Sequence, residues 1–163
     1  ENGAATVDEN HIAEVAGVTL APFEREKGDN PYDVQYALQE MMQQLVGIVR
    51  TEDEMLRAVE HLKLMRQRAD GVRVTGNREY NNGWHTALDL QNLLTVSEAI
   101  TLSALERKES RGAHFRDDYP SKDDKSGKFN LVIKKDDDGQ MQIRQEIRKE
   151  LRQDLQQIIE EMK

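Results

Sequence analysis

Apolar residues along most of this chain recur at intervals of three or four, which is the spacing of amphipathic helices. The clearest predicted helix begins at Asn30-Pro31, because proline is favoured at the first helical position. One face of it carries Val34, Leu38, Met41, Leu45 and Ile48. A second predicted helix follows Thr51 and carries Met55, Val59, Leu62 and Met65 on one face.

A third predicted helix runs from Trp84 to about Ser110, with Gly112 ending it. Its length of up to 27 residues makes it the longest. Its apolar residues cover more than one stripe, so we expect it to be the central and most buried helix. Because the links between these three helices are short, the sequence predicts an antiparallel bundle.

Two Thr-x-x-Glu patterns resemble capping boxes, in which Thr and Glu satisfy the first N–H groups of a helix. Thr51 to Glu54 precedes the second bundle helix, and Thr6 to Glu9 precedes a shorter helix predicted over Val7 to about Val15. We expect Gly17 to weaken that short helix and Pro22 to end it. A charged connector would then lead to the bundle.

The pattern changes after residue 112. Phe129, Leu131 and Ile133 alternate with polar residues, as do Met141 and Ile143, and Asp136 to Gly139 read as a turn between them. The last predicted element is an amphipathic helix with Ile147, Leu151, Leu155, Ile158, Ile159 and Met162.

The predicted fold is therefore mainly α: an antiparallel three-helix bundle, spectrin-repeat-like, followed by a C-terminal loop, a small β-hairpin and a terminal helix. The predicted division is a linker over 1–29, the bundle over 30–112, and the loop, hairpin and helical tail over 113–163.

Composition narrows the functional classes. The chain has 31 acidic and 23 basic residues and a net charge of −8, which disfavours nucleic acid as a partner. It has no cysteine, which excludes disulfides and thiolate metal sites. No stretch approaches the roughly 18 apolar residues of a membrane-spanning helix, so direct membrane insertion is not expected.

Motifs that carry chemistry are absent from the sequence. The four histidines His11, His61, His85 and His114 show no metal-ligand spacing, and no glycine-rich phosphate loop occurs. Asp136 to Gly139 resemble the middle of a calcium loop but lack its later ligands, so an ordinary turn is favoured. We predict no catalytic residue, no metal site and no cofactor-binding residue in this chain.

The segment 107–120 gathers four basic residues, a histidine, two aromatic residues and three acidic residues after the longest helix. Arginine and histidine in this setting suit an anion or an acidic partner surface. They equally suit a solvated helix end, where cations meet the negative pole of the helix dipole. The residues alone leave both interpretations open.

This same segment, Glu106 to Pro120, resembles the signature near the C-terminus of the flavoprotein subunit of succinate dehydrogenase and fumarate reductase. L-aspartate oxidase carries a related version. Asn82 to Leu94 with Ser97 to Ile100, and Leu38 to Met42 with Val46 to Arg50, are similar to the same family. The resemblance extends in order over roughly residues 23 to 133.

The resemblance implies a C-terminal helical domain that packs on a flavin domain. The full subunit of this family binds FAD and interconverts succinate and fumarate, and electrons pass to an iron–sulfur subunit and on to quinone. The flavin- and substrate-binding residues of the family lie upstream of the matching region. We therefore expect this chain to start just after a flavin domain, which agrees with its first residue being Glu1 rather than Met. The expected location is cytoplasmic, in a complex peripheral at the inner face of the membrane.

We interpret Arg111, His114, Arg116 and Tyr119 as the contact that docks the bundle onto the flavin domain beside the iron–sulfur subunit. Gly112 would provide a sharp turn there, because a positive φ angle costs glycine nothing sterically. The alternatives are a domain of an L-aspartate oxidase-type flavoprotein and a free-standing helical interaction module. An autonomous enzyme using His114 and Arg116 is the least favoured interpretation.

Overall fold

The computed structural model describes residues 8–162, which contain five α-helices and two two-stranded sheets. The helices are α1 (Glu9–Glu24), α2 (Pro31–Leu45), α3 (Glu52–Asp70), α4 (Asn82–Glu106) and α5 (Gln153–Glu161). The strands are β1 (Val49–Arg50), β2 (Phe115–Arg116), β3 (Phe129–Lys135) and β4 (Met141–Ile147). The predicted mainly α fold with a small hairpin is confirmed.

Helices α2, α3 and α4 form the bundle and enclose the hydrophobic core. At one end, Arg68 near the end of α3 pairs at 2.6 Å with Asp29, which precedes α2. At the same end of α3, Asp70 accepts a hydrogen bond from Gln91 in the first half of α4. At the other end, the first N–H of α3 lies beside residues that follow α4. Neighbouring helices therefore run antiparallel, as predicted. Their most buried side chains include Val34, Leu38, Met55, Leu62, Leu90 and Leu94.

Two of the bundle helices begin at the residues that the sequence indicates. Asn30 caps α2 by accepting the N–H of Tyr32 at 3.0 Å. The Thr51 hydroxyl oxygen accepts the N–H of Glu54 at 3.4 Å, which is the first half of the predicted capping box. In the other half, the Glu54 carboxylate accepts the hydroxyl proton of Thr51, at 2.8 Å, rather than a backbone N–H.

Helix α1 is longer than predicted, because it continues through Gly17 and Pro22 to Glu24. Proline inside a helix removes the hydrogen bond to the carbonyl four residues earlier, and its ring crowds that carbonyl. The Pro22 ring is buried, and its carbonyl accepts the N–H of Val74, so packing outweighs the lost bond. The helix begins with Asp8 as its cap. Thr6, the predicted cap, lies outside the described residues.

Two helix ends differ from the prediction. Helix α2 stops at Leu45, so Ile48 is 79% exposed instead of facing the core. Helix α4 stops at Glu106, six residues before Gly112, and has 25 residues. Its end is fixed because the following residues turn back to pair β2 with β1, a parallel contact that periodicity did not predict.

Strands β3 and β4 form the predicted antiparallel hairpin, with Ile133 opposite Ile143. The turn is fixed by Asp136, whose carboxylate accepts the N–H groups of Asp138 and Gln140. It is thus a hydrogen-bonded turn, as the sequence predicts. Ile147 lies in β4, so the terminal helix begins later than predicted. Helix α5 has no buried residue.

One further observation concerns membranes. Within residues 8–162, no helix combines the length and the apolar character needed to cross a bilayer.

Candidate functional site

A cluster of charged and polar side chains lies at the end of the bundle where α2 and α4 end and α3 begins. We call it the polar cluster; it comprises the segment 107–123 with Arg50 and Glu52. Two of its charged residues, Glu109 and Arg116, are 0% exposed. Charged side chains are rarely so deeply buried unless they are paired. The partners of these two residues therefore define what the cluster can do.

Arg116 joins the end of α4 to the loop that follows it. Its Nε and Nη2 atoms donate to the two carboxylate oxygens of Asp118 at 2.7 and 2.6 Å. Its Nη1 donates to the carbonyl oxygens of Ala104 and Leu105 at 2.9 and 3.3 Å. Such terminal carbonyls have no partner within their own helix. The guanidinium also lies 5.0 Å from the ring centre of Tyr119.

Asp118 carries the network on to α3. Its carboxylate accepts the N–H of Glu52, the first residue of that helix, at 2.9 Å. A negative charge there also favours the positive end of the helix dipole. The hydrogen bond from Arg116 is the main cause that lowers the pKa of Asp118 to about 2. This carboxylate is consequently ionised at neutral pH and ties two helix ends together.

Glu109 forms the second centre of the polar cluster. Its carboxylate accepts hydrogen bonds from Arg111 at 3.0 Å, from Arg107 at 2.7 Å and from the N–H of Asp123 at 2.9 Å. The bond from Arg111 is the largest cause that lowers its pKa to about 2, although burial alone would raise it. Glu109 thus holds the segment up to residue 123 against the end of α4.

His114 lies between two arginines and is neutral by geometry. Its Nδ1 faces Nη1 of Arg50 at 3.0 Å and must accept, since a guanidinium only donates. Its Nε2 faces the carbonyl oxygen of Arg107 at 3.1 Å and must donate. Burial, followed by the charges of Arg50, Arg116 and Arg107, lowers the pKa of His114. The neighbouring charges and the hydrogen bonds of His114 therefore both favour its neutral ring.

Gly112 sits at the tip of a tight turn. The backbone N–H and carbonyl groups of Arg111 and His114 bond to each other across it, at 2.8 and 3.0 Å. The φ angle of Gly112 is +60°, as the sequence predicts, but the turn lies beyond the helix end rather than at it. Behind this turn, the Ser110 hydroxyl oxygen accepts the N–H of Arg116 at 2.9 Å.

The structure brings all five predicted interface residues into the polar cluster, with very different exposure. Arg111 and Gly112 are exposed, His114 and Tyr119 are half-buried, and Arg116 is fully buried. A solvated helix end does not describe this segment, because its central charges are inaccessible to water. Sequence reasoning missed the partners Arg50, Glu52, Glu109 and Asp118. In the sequence these partners are indicated only by a high density of opposite charges, and solvent-exposed helices show the same density.

Chemically, the polar cluster resembles a structural lock. The lowered pKa values keep Glu109 and Asp118 ionised and favour neutral His114, so these three groups are not poised to exchange a proton near neutral pH. Within the described ranges, no group of three His, Cys, Asp or Glu residues is arranged to hold a metal ion.

A second surface lies at the opposite end of the bundle, along α1. An open apolar groove of about 540 Å³ is bordered by Ile12, Val15, Leu20 and Trp84. Ile12 and Val15 remain 55% and 50% exposed. Contiguous exposed apolar surface of this kind marks contact sites between proteins or domains.

Comparison with known proteins identifies a family. Residues 35–160 match the family described as fumarate reductase flavoprotein C-term. An FAD-dependent oxidoreductase of Methanocaldococcus jannaschii is 38% identical over 110 residues, which are 66% of this chain and 19% of that protein. The succinate dehydrogenase flavoprotein subunit of Coxiella burnetii is 37% identical over 97 residues, 59% of this chain and 16% of that protein.

The fold shows the same similarity. The Mycobacterium smegmatis Sdh1 complex with UQ1 superposes with a TM-score of 0.89 at 36% identity. That match covers 98% of this chain and 28% of the other chain. The chain spans about a fifth of the length of the curated relatives it matches.

Proposed function

This chain belongs to the family of C-terminal domains of succinate dehydrogenase and fumarate reductase flavoproteins, and from that premise we propose that it is the scaffold of an FAD-dependent enzyme that interconverts succinate and fumarate. The observation that carries the proposal is the family match, which contains the whole polar cluster. A relative named succinate dehydrogenase favours succinate as the substrate over the aspartate of the L-aspartate oxidase-type alternative.

Residues 8–162 do not form an FAD site of the doubly wound kind. A dinucleotide site of the doubly wound kind needs parallel strands joined by a glycine-rich turn and a helix. The parallel strands among residues 8–162, Val49–Arg50 and Phe115–Arg116, have two residues each and no such connection. We therefore assign flavin and substrate binding to a preceding domain, which the greater length of the relatives supports.

The role of this chain is then to pack on the flavin domain and to contribute to the contact with an iron–sulfur subunit. Two surfaces are available. The apolar groove of α1 suits a permanent contact between domains. At the polar cluster, Arg111, Gly112, His114 and Tyr119 have accessible surface, whereas Arg116 would act by holding their loop in place. The proposed location is a complex at the inner face of a membrane.

The proposal is tested with the flavoprotein in which this chain is joined to its flavin domain. We expect flavin absorbance and succinate-dependent reduction of an artificial electron acceptor, and no flavin absorbance from the present chain alone. A flavoprotein that carries this chain but neither oxidises succinate nor reduces fumarate would refute the assigned reaction.

The docking role of the exposed residues is tested separately by Arg111→Ala in the same flavoprotein. We expect weaker domain docking or subunit assembly while the circular dichroism of the helices is retained. Arg57→Ala is the matched control, since Arg57 is exposed and, among residues 8–162, pairs only with Asp53 on its own helix, 3.4 Å away. Wild-type assembly and turnover in Arg111→Ala would remove Arg111 from the interface.

A further inference from the structure

Arg50 differs from the other arginines of the polar cluster because no carboxylate among residues 8–162 pairs with it. Its Nε donates to the carbonyl oxygen of Val46 at 3.1 Å, and its Nη1 donates to His114. Arg107, Arg111 and Arg116 each form an ion pair within 3.0 Å. Arg50 is thus the cluster's one half-buried cation with unmatched charge in the described part of the chain.

This unmatched charge is energetically unfavourable in the isolated chain. Burial lowers the pKa of Arg50, yet a guanidinium remains protonated throughout the physiological range. Removing a charge from water is compensated only when a counter-charge and further hydrogen bonds are supplied. The two neutral acceptors, Val46 and His114, orient the guanidinium but provide no counter-charge.

Three apolar side chains close to Arg50 in the chain or in the sheet are exposed. Ile48 is 79% exposed, Val49 is 56% exposed and Phe115 is 38% exposed, and all three lie on or beside the two-stranded β1–β2 sheet. Successive side chains of a strand point to opposite faces, so Val49 and its partner Phe115 offer an apolar contact on the face of the sheet away from the Arg50 side chain. We call Arg50 and these three residues the acceptor patch.

We propose that the acceptor patch receives a carboxylate side chain from the flavin-binding part of the same polypeptide, with Arg50 as its direct partner. This inference rests on the proposed function. It names a partner chemistry and a residue, Arg50, that lie outside the predicted interface set. His114 is a positioning residue here, because its neutral ring holds the Arg50 guanidinium in place.

The same polypeptide is favoured over a separate subunit because the patch is small. Stable contacts between separate proteins bury about 1,200–2,000 Å² in total, far more than four residues offer. A tethered domain is present at an effective concentration in the millimolar range, so one ion pair beside a small apolar contact is sufficient. Charge complementarity selects the carboxylate.

The test uses Arg50→Lys in the flavoprotein that carries this chain, followed by carbodiimide coupling, which joins an amine to a carboxylate in direct contact. Lys108 lies 3.5 Å from Glu52 at the same end of the bundle, so this natural pair serves as the positive control. The carbodiimide concentration is raised until Lys108 and Glu52 are linked. Mass spectrometry then identifies the partner of position 50. We expect an Asp or Glu of the flavin-binding domain.

Three outcomes would each overturn the proposal. Position 50 is linked only to residues 8–162, it is linked to another subunit, or it is not linked at all once Lys108 and Glu52 are coupled. Flavin absorbance and succinate oxidation are measured on the same sample. A protein without dicarboxylate activity that still shows the expected link would refute the proposed reaction and leave the docking intact.

An energetic test complements the chemical one. Arg50→Gln in the flavoprotein should raise the hydrogen-exchange rate of the β1 and β2 amides about fivefold. This factor corresponds to losing one ion pair whose free energy lies near the upper end of the range for exposed pairs. Arg57→Gln should leave that exchange unchanged. Unchanged exchange in Arg50→Gln would show that no partner rests on the acceptor patch.

Discussion

Arg116 and Asp118 face each other two residues apart as a bidentate pair, with N–O distances of 2.7 and 2.6 Å. The pair also spans two helices, because Arg116 binds the last carbonyls of α4 and Asp118 binds the first N–H of α3. Each charge thereby meets the helix pole of opposite sign. This ion pair therefore links the two longest helices of the bundle at one end.

Replacing Arg116 should strongly destabilise the chain. Arg116→Ala leaves a partly buried carboxylate and two helix-end carbonyls without their donor, and breaking a buried pair in this way costs about 3–5 kcal/mol. The free energy of unfolding is measured by urea titration followed by circular dichroism. Arg57→Ala, the exposed control, should change it by no more than about 0.5 kcal/mol. Equal stabilities of the two variants would contradict the structural role.

Glu109→Gln tests the second centre of the polar cluster. The amide keeps the shape of the side chain but loses the charge that binds Arg111 and Arg107, so we expect a loss of about 2–3 kcal/mol in unfolding free energy. The matched control is Glu60→Gln, because Glu60 is exposed and pairs only with Lys63. If Glu109→Gln is as stable as Glu60→Gln, the ionised form of Glu109 is not required.

Acid should unfold this chain through the same two carboxylates. The pKa values of Glu109 and Asp118 fall from the usual 4.5 and 3.8 to about 2 in the folded state. Between these values the unfolded state binds more protons, so stability falls as the pH falls. The stabilisation is complete above the usual pKa values and is lost as the pH approaches about 2.

The measurement is the urea midpoint between neutral pH and about pH 2.5. Glu109→Gln should reduce the steepness of the decline, because one of the two titrating groups is gone. A decline of identical steepness in Glu109→Gln and the wild type would assign the acid sensitivity to other groups.

His114 provides a separate prediction at milder pH. Burial and three neighbouring arginines lower its pKa below the usual 6.5, so the neutral ring is favoured on folding. Its contribution is present above pH 6.5 and declines as the pH falls through the lowered pKa. Nuclear magnetic resonance titration of the His114 ring checks this directly. Arg50→Gln should raise the pKa of His114 by removing a cation, and a fall instead would contradict the arrangement.

The bundle was predictable because its information is local. Leu38, Leu62 and Leu94 each belong to the helically spaced apolar face of a different helix, and all three lie in the core. Pro22 shows the limit of this reasoning, since proline ends helices by its local rule and here a tertiary contact overrides it. The acceptor of the Val74 N–H could not be read from the residues around Pro22.

The polar cluster could be located but not resolved from sequence. Glu109 and Arg116 lie in a charged stretch that suits solvent as well as burial, and only their pairing with partners within residues 104–123 distinguishes the two. Arg50 and His114 are separated by 64 positions, so no local pattern joins them. The family resemblance indicated the segment but did not predict which residues pair with each other.

Trp84 supplies the last prediction, which concerns the attachment of α1. Its indole N–H donates to the carbonyl oxygen of Thr19 at 2.8 Å, and its ring centre lies 5.4 Å from that of Phe23. Trp84→Ala removes both contacts and should expose α1 to protease while α2, α3 and α4 remain folded. Trp84→Phe keeps most of the packing and loses one hydrogen bond, at a cost of about 1 kcal/mol.

Because Trp84 is the only tryptophan of the chain, its fluorescence reports this attachment in the wild type. Helix α1 packs mainly along α4, so its detachment should require less denaturant than unfolding of the bundle core. We expect the fluorescence transition of Trp84 to precede the loss of helical circular dichroism during urea titration. Coincident transitions, together with equal protease resistance of α1 in Trp84→Ala and Trp84→Phe, would show that α1 unfolds with the bundle as one unit.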